Sequence, residues 1–248
     1  MPKVTLSRTT IGIVQALIVI ALLLIIVLGA VQVLTLDQYV GLEYGKTDFP
    51  PDPFGFSADQ RLAYATTNFR FVREAQPLSA LAEQKLDGQP AYTTRELEHM
   101  QDVQRVYQAS AQIWQSALVL TLLLSFTLGW QAETRPALAT AAKVGGLATA
   151  GLVGVIGLLA VVAWQFWFVA FHQVFFAAGT WSFEYSDTLI RLFPERFWLD
   201  AALTITGLSL TGGLAVATVS CWYLRRTPRP LVPQTAGRPA TATKLSGD

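Results

Sequence analysis

TTRELEHMQDVQRVYQASAQIWQSALVLTLLLSFTLGWQA, residues 93–132, begins as the start of a water-exposed helix and ends as a membrane span, with no break between the two. Thr93 followed by Glu96 is a capping box, in which each side chain takes a backbone N–H the helix start leaves unpaired. No Pro or Gly follows until Gly129, and Val106 to Ala132 holds no Asp, Glu, Lys or Arg. Crossing a bilayer takes about 20 apolar residues at roughly 1.5 Å each, so the membrane part falls near 113–132. One helix therefore joins a polar cap to a bilayer span, and His99 sits on it in the last two turns or so before the charge-free run.

The rest of the chain reads as partners for that helix. Apolar residues make up 52% and charged ones 14%, with a mean hydropathy of +0.40, which describes a membrane protein rather than a soluble globule. Three more charge-free stretches, Thr9–Leu36, Val144–Phe183 and Ala201–Leu224, predict spans near 11–34, 147–169 and 201–223. The expected fold is all-α: a four-transmembrane-helix bundle with an extracytoplasmic, mainly helical cap, residues 1–226 forming one integral membrane domain. The first apolar run exceeds the roughly 7–15 residues of a signal-peptide core and lacks a convincing small-x-small site, so it reads as an uncleaved span.

Charge sets the expected orientation. With both termini and the 133–143 turn inside, the inner segments carry nine basic and two acidic residues, net +7. The outer segments carry nine basic and fifteen acidic, net −6. This positive-inside distribution predicts a multi-pass membrane protein with both ends cytoplasmic. The segment 227–248, rich in Pro, Thr, Ala and Arg, predicts a disordered tail whose arginines meet anionic lipid rather than nucleic acid. The single cysteine, Cys221, lies near the inner end of the fourth span and excludes disulfides.

Outside, 37–112 is too long for a connection and predicts the cap. Pro50-Pro51-Asp52-Pro53 breaks the chain, Ser57 caps a helix running through Arg61, Leu62 and Tyr64 towards Val72, and Asp87-Gly88-Gln89-Pro90 breaks it again. The second outer loop spans 173–199.

Only two histidines occur, His99 and His172, and this topology puts both at the outer membrane interface. Imidazole can take and give a proton near neutrality, which makes the pair candidates for acid/base catalysis. Glu96 and Asp102 flank His99 at one helical turn and are placed to orient it or hold its proton. His99 also reads as an ordinary cap residue. Between Trp164 and Trp198 lie thirteen of the chain's 28 aromatics, His172 among them, with Phe171, Phe175, Phe176, Trp181 and Asp187 close in sequence. An interfacial belt accounts for several of the tryptophans; a water-poor lipid pocket accounts also for the histidine and the acids beyond it.

These residues carry a family resemblance. Arg95-Glu96-Leu97 with His99-Met100-Gln101-Asp102-Val103 resembles the E-x-x-HM-x-DV motif of the lipoprotein intramolecular transacylase family of bacterial membrane proteins. Phe171-His172-Gln173-Val174-Phe175-Phe176 through Trp181-Ser182-Phe183 to Asp187–Trp198 resembles its second motif block, and Phe54-Gly55-Phe56-Ser57 with Arg61-Leu62 and Tyr64 a third. Asn68-Phe69-Arg70-Phe71 departs from the family's more Tyr/Leu-rich pattern, which bears on substrate or acyl preference. The resemblance implies transfer of the sn-2 acyl chain of a diacylglyceryl lipoprotein to the α-amino group of its N-terminal cysteine, giving a lyso-form product. It also implies that His99 and His172 are catalytic. No cofactor and no metal are implied, the partners are the lipoprotein substrate and the bilayer, and the expected state is a monomer.

The residues fit that reaction. Ester-to-amine transfer needs a base for the amine and a proton for the departing glycerol oxygen, and two imidazoles can supply both. Donor and acceptor belong to one substrate, so no covalent nucleophile is required, although Ser57, Thr180 and Ser186 are present outside. Three other readings stay open: a metal centre built on Glu96, His99 and Asp102 with His172 and Asp187 or Glu184; an esterase using the same histidines; and a transport or structural protein. Against transport, no span carries a mid-depth charge, and Gly145, Gly146, Gly151, Gly154 and Gly157 read as close helix packing.

Overall fold

A computed structural model describes residues 6–177 and 179–227. In chain order, α1 (Arg8–Leu34) is followed by the cap elements α2 (Asp37–Tyr44), α3 (Ala58–Arg73), α4 (Ser79–Ala82) and the short strands β1 (Lys85–Leu86) and β2 (Gln89–Pro90). Then come α5 (Thr94–Gly129), α6 (Arg135–Val162), α7 (Trp164–Phe175), α8 (Thr188–Leu192) and α9 (Glu195–Arg226). The fold is all-α as expected, and α1, α5, α6 and α9 are each long and apolar enough to cross a membrane.

The local signals act as the sequence predicts. Ser57 Oγ accepts from the Gln60 amide at 3.2 Å and Gln60 Oε1 accepts from the Ser57 amide at 2.9 Å, starting α3. Thr93 and Glu96 reciprocate in the same way, and α5 then runs 36 residues from cap to bundle. The Asp87-Gly88 break is a hairpin turn: both residues have positive φ, 50° and 80°, the conformation a two-residue turn between antiparallel strands requires.

The third apolar stretch differs from expectation. Instead of one span near 147–169, α6 ends at Val162, Ala163 adopts φ −141° and ψ 49°, and α7 starts at Trp164. Such a backbone cannot continue the i→i−4 ladder, so the chain breaks and α7 leaves on its own axis. The second outer segment holds the end of α7 at Phe175, then α8, then the start of α9 at Glu195 after Pro194, a residue suited to a helix start and not to its interior. The predicted disordered tail lies, beyond Thr227, outside the described residues.

The buried core sits mainly in the cap. Val40, Phe71, Leu81, Leu192 and Phe197 are almost wholly buried and join α2, α3, α4, α8 and the start of α9. The spans, by contrast, expose apolar side chains such as Leu122, Phe126 and Val155, as helices facing lipid do. A smaller core of Ile18, Leu128 and Ala141 closes the far end of the bundle.

Two polar clasps tie the second outer segment to the cap. Arg191 donates to both oxygens of Asp52, Nε at 3.1 Å and Nη2 at 3.0 Å, with the two side chains 9% and 0% exposed. Asp52 also accepts from the Phe54 and Phe56 amides, and the Arg191 carbonyl accepts from Arg61 Nε and Nη2. In the second clasp Glu96 Oε1, buried, accepts from the Leu189 amide at 2.8 Å, while the Thr188 hydroxyl donates to the Ala91 carbonyl. The chain leaving α7 is thereby fixed at its far end against the start of α5.

Glycines bring the spans together unequally. A Cβ on Gly146 would lie 2.4 Å from the Gly213 carbonyl oxygen, and one on Gly157 would lie 2.4 Å from Thr206 Cγ2. Gly145 faces Leu22 of α1 at 3.1 Å, Gly154 is in ordinary contact, and Gly151 has nothing within 4 Å. Close packing thus rests on Gly145, Gly146 and Gly157. Gly146→Val is expected to push α6 from α9 and cost about 1–3 kcal/mol, visible as a lower Tm in detergent, whereas Gly151→Ala melts like the parent. Equal melting of both variants would refute this packing.

Candidate active site

Each histidine is placed by a different element. His99 comes from the cap-side part of α5, well before the apolar 113–129 portion, and is buried at 9% exposure. His172 stands near the end of α7, beyond the break at Ala163. A single straight third span would not present it the same way; the break lets α7 take its own direction.

Phe176 connects the two. Its ring lies 5.0 Å from the His99 ring and 5.6 Å from the His172 ring, centroid to centroid. Trp181 packs on His172 at 4.9 Å and Phe183 on His99 at 5.3 Å, while Phe168, one turn before His172, closes on it at 4.1 Å. Phe176, Trp181 and Phe183, all beyond the end of α7, therefore bracket both imidazoles. Between Phe176 and Trp181 the Thr180 amide donates to the Ala177 carbonyl and Gly179 takes φ +84°.

The other predicted site residues divide. Phe171 and Phe175 continue an aromatic ladder from Trp164 and Trp167 along α7; Phe171 also meets His172 edge-on at 5.5 Å. Asp187 Oδ2 accepts from the Glu184 amide at 2.8 Å and from Arg95 Nη2 at 3.3 Å, and the Arg95 guanidinium lies 5.4 Å over Phe183. Asp187 thus shapes the loop. Glu96 spends its carboxylate on Thr93 and Leu189. Asp102 pairs with Arg105 and acts on His99 only through its charge. Among the described residues no three His, Cys, Asp or Glu side chains gather into a ligand set.

Hydrogen bonding assigns one tautomer. His172 Nδ1 lies 2.7 Å from the Phe168 carbonyl oxygen, which can only accept, so Nδ1 carries the proton and Nε2 bears the lone pair in the neutral ring. His99 Nδ1 is buried with no hydrogen-bond partner. Burial among aromatic rings drives both imidazoles towards the neutral form. His99 is pushed down to about 4, by burial first and then by the neighbouring His172, with Asp102 opposing. His172 is lowered by burial, with its bond to the Phe168 carbonyl opposing. At neutral pH the site therefore offers two uncharged imidazoles in a water-poor aromatic cage.

The sign of the pH effect follows. The unfolded chain binds protons at its histidines below about 6.5 while the folded one resists until lower pH, so stability falls as pH drops from about 6.5 towards 4. Two imidazole signals are expected by NMR, both titrating below 6.5 and the His99 signal near 4. Ordinary titration of both near 6.5 would show the cage to be wet.

Arg61 and Arg191 are what motif reading did not single out as structural. They lie in the quoted blocks, yet their bonds run to carbonyls and to Asp52 rather than towards the histidines. For Arg191 the signal available was an arginine flanked by Leu189-Ile190 and Leu192-Phe193, which needs a buried partner.

Comparison with known proteins points one way. A family model described as lipoprotein intramolecular transacylase Lit matches residues 16–198. An uncharacterized protein of Aquifex aeolicus (strain VF5) is 31% identical over 190 residues, covering 73% of this chain and 80% of that protein. The in meso structure of the membrane integral lipoprotein intramolecular transacylase Lit from Bacillus cereus superposes with a TM-score of 0.64 at 15% identity, covering 88% of this chain and 98% of that one. A form of the same protein with a histidine-to-alanine mutation gives 0.59 at 17% identity, covering 88% and 94%. At such identities the superpositions speak for the fold.

Proposed function

The chain belongs to the lipoprotein intramolecular transacylase family, and on that premise we propose that it moves the sn-2 acyl chain of a diacylglyceryl lipoprotein onto the α-amino group of the same lipoprotein's N-terminal cysteine. Membership makes it a membrane-integral acyltransferase acting in lipoprotein modification. The observation carrying the finer reading is the aromatic cage that joins two neutral imidazoles through Phe176.

In this reading the amine lone pair attacks the ester carbonyl carbon and the π pair moves onto the carbonyl oxygen. His172 Nε2, whose lone pair is fixed by the Nδ1 bond to Phe168, takes a proton from the attacking nitrogen. The carbonyl reforms, the bond to the glyceryl oxygen breaks, and that oxygen receives a proton. One C–N bond has formed, one C–O bond has broken, and a proton has passed from nitrogen to oxygen. His99, unpartnered at Nδ1, faces the departing oxygen as donor or relay. Holding both ends of one substrate together is worth up to about 7–11 kcal/mol of barrier, and the aromatic walls keep out the water that would hydrolyse the ester. The positive-inside charge distribution supports placing cap and cage on the outer face with both termini cytoplasmic.

Mass spectrometry of a diacylglyceryl lipopeptide incubated with the protein in membranes tests the reaction class. Transfer conserves the peptide's mass and makes its amine unreactive to acylating reagents. Loss of one fatty-acyl mass with a free amine would replace transfer by hydrolysis.

A further inference from the structure

Among the described residues, two of the buried polar side-chain atoms without a hydrogen-bond partner lie in the cage, His99 Nδ1 and Trp181 Nε1. The first belongs to the proposed acid/base pair. The second is unaccounted for. An indole nitrogen can only donate, and a buried donor without an acceptor is costly, so such groups persist where something else uses them.

Its surroundings narrow the use. The Trp181 ring is tilted 36° to the His172 ring at 4.9 Å, which sets the indole beside the group that would receive the amine proton. The loop presents it deliberately: the Thr180 amide and hydroxyl both donate to the Ala177 carbonyl on one side, and Asp187 receives the Glu184 amide and Arg95 on the other. Those same bonds engage two other donors of the region, the Thr180 hydroxyl on Ala177 and the Arg95 guanidinium on Asp187. A tetrahedral intermediate leaves negative charge on the former carbonyl oxygen, and acyl transfer is strongly helped by a fixed donor aimed at that atom.

We propose that Trp181 is a catalytic residue whose Nε1–H donates a hydrogen bond to the substrate's ester carbonyl oxygen and holds it as the oxyanion. This rests on the transacylase reading above. The indole gives up no proton: as the amine attacks, the bond strengthens on the charged oxygen, and when the carbonyl reforms and the glyceryl oxygen leaves, it relaxes. Three groups then serve three atoms, His172 the nitrogen, His99 the glyceryl oxygen and Trp181 the carbonyl oxygen.

The test uses the full-length protein in membranes with a synthetic diacylglyceryl lipopeptide bearing a free N-terminal amine. Trp181→Phe should lower kcat by about 10²–10³-fold with KM changed less than about threefold. Placing β-(3-benzothienyl)alanine at 181 keeps the bicyclic shape, replaces only the N–H by sulfur, and should give the same loss, so a packing defect of the phenylalanine is separable. A substrate whose sn-2 ester is a thionoester, with sulfur as a poor acceptor, should be disfavoured by the parent far more than by either variant. A kcat within about threefold of the parent for the benzothienyl protein, or equal thionoester discrimination in parent and variants, overturns the proposal. Histidine variants run alongside keep the two readings apart: if they are inactive while the 181 variants work normally, only the oxyanion role fails. If the histidine variants retain activity, the transacylase mechanism itself fails.

Discussion

His172→Ala and His99→Ala are each expected to lower lyso-lipoprotein formation by about 10²–10⁴-fold, the range removed with a general acid or base. The loss should fall on kcat, since the imidazoles act on atoms whose charge changes during reaction and contribute little to holding an acyl chain. His172→Ala costs the structure one hydrogen bond, Nδ1 to the Phe168 carbonyl, and the ring contacts with Phe168, Phe176 and Trp181, on a helix that has no fully buried residue, so its fold should survive. His99→Ala opens a void beside Phe176 and Phe183, and His99→Gln is the better-filled control. Because the two act on one proton path, the double variant should be scarcely slower than the worse single one. Fully additive losses would mean that the histidines work in separate steps. Product at more than about a tenth of the parental rate from either single variant, with the protein correctly inserted, would end the paired-histidine mechanism.

How far the sequence carried the fold depends on what kind of physics each element uses. α5 was legible end to end because a capping box, a lack of breakers and a charge-free run are all local signals. The break at Ala163 was not. Nothing in Val161-Val162-Ala163-Trp164 disfavours helix, and hydropathy is continuous across it, so the break has no local cause that periodicity could register. The Asp87-Gly88 turn was read as a break but not as a hairpin, since strands of two residues have no period to detect. At the site, the histidines and the aromatic density were visible as composition, whereas the bridging position of Phe176 and the tautomer of His172 needed coordinates. Glu96 shows the reverse: spacing placed it beside His99, and its carboxylate is committed instead to Thr93, through the capping box that was legible, and to Leu189, a contact that spans 93 positions and leaves no trace in a helical register.

Asp52→Asn is expected to cost about 3–5 kcal/mol, the penalty for leaving one member of a buried ion pair without its partner. Burial alone would raise the Asp52 carboxyl, yet Arg191 and the Phe56 and Phe54 amides hold it below the usual carboxylate range. The folded form therefore keeps the charge, and the stability this gives is present at neutral pH and is lost as pH falls through the lowered value. Arg191 is held equally hard: its guanidinium lies 4.0 Å over Phe56 and its own carbonyl binds Arg61, so removing the Asp52 charge strands a cation among aromatic rings. The loss should reach the site, because Arg191 lies on α8, next to the Leu189 amide that Glu96 anchors, and the loop with Trp181 and Phe183 ends there. A lower Tm in detergent and a proportionate fall in activity are expected together. The exposed pair Arg70–Asp37, with side chains 51% and 31% exposed, sets the scale: Arg70→Ala should leave the Tm close to that of the parent. Asp52→Asn combined with Arg191→Met removes both charges and should recover part of the single-variant loss, which a double-mutant cycle measures as a coupling energy. A Tm for Asp52→Asn indistinguishable from that of Arg70→Ala would mean that water reaches the pair and that the clasp does not hold the cap over the histidines.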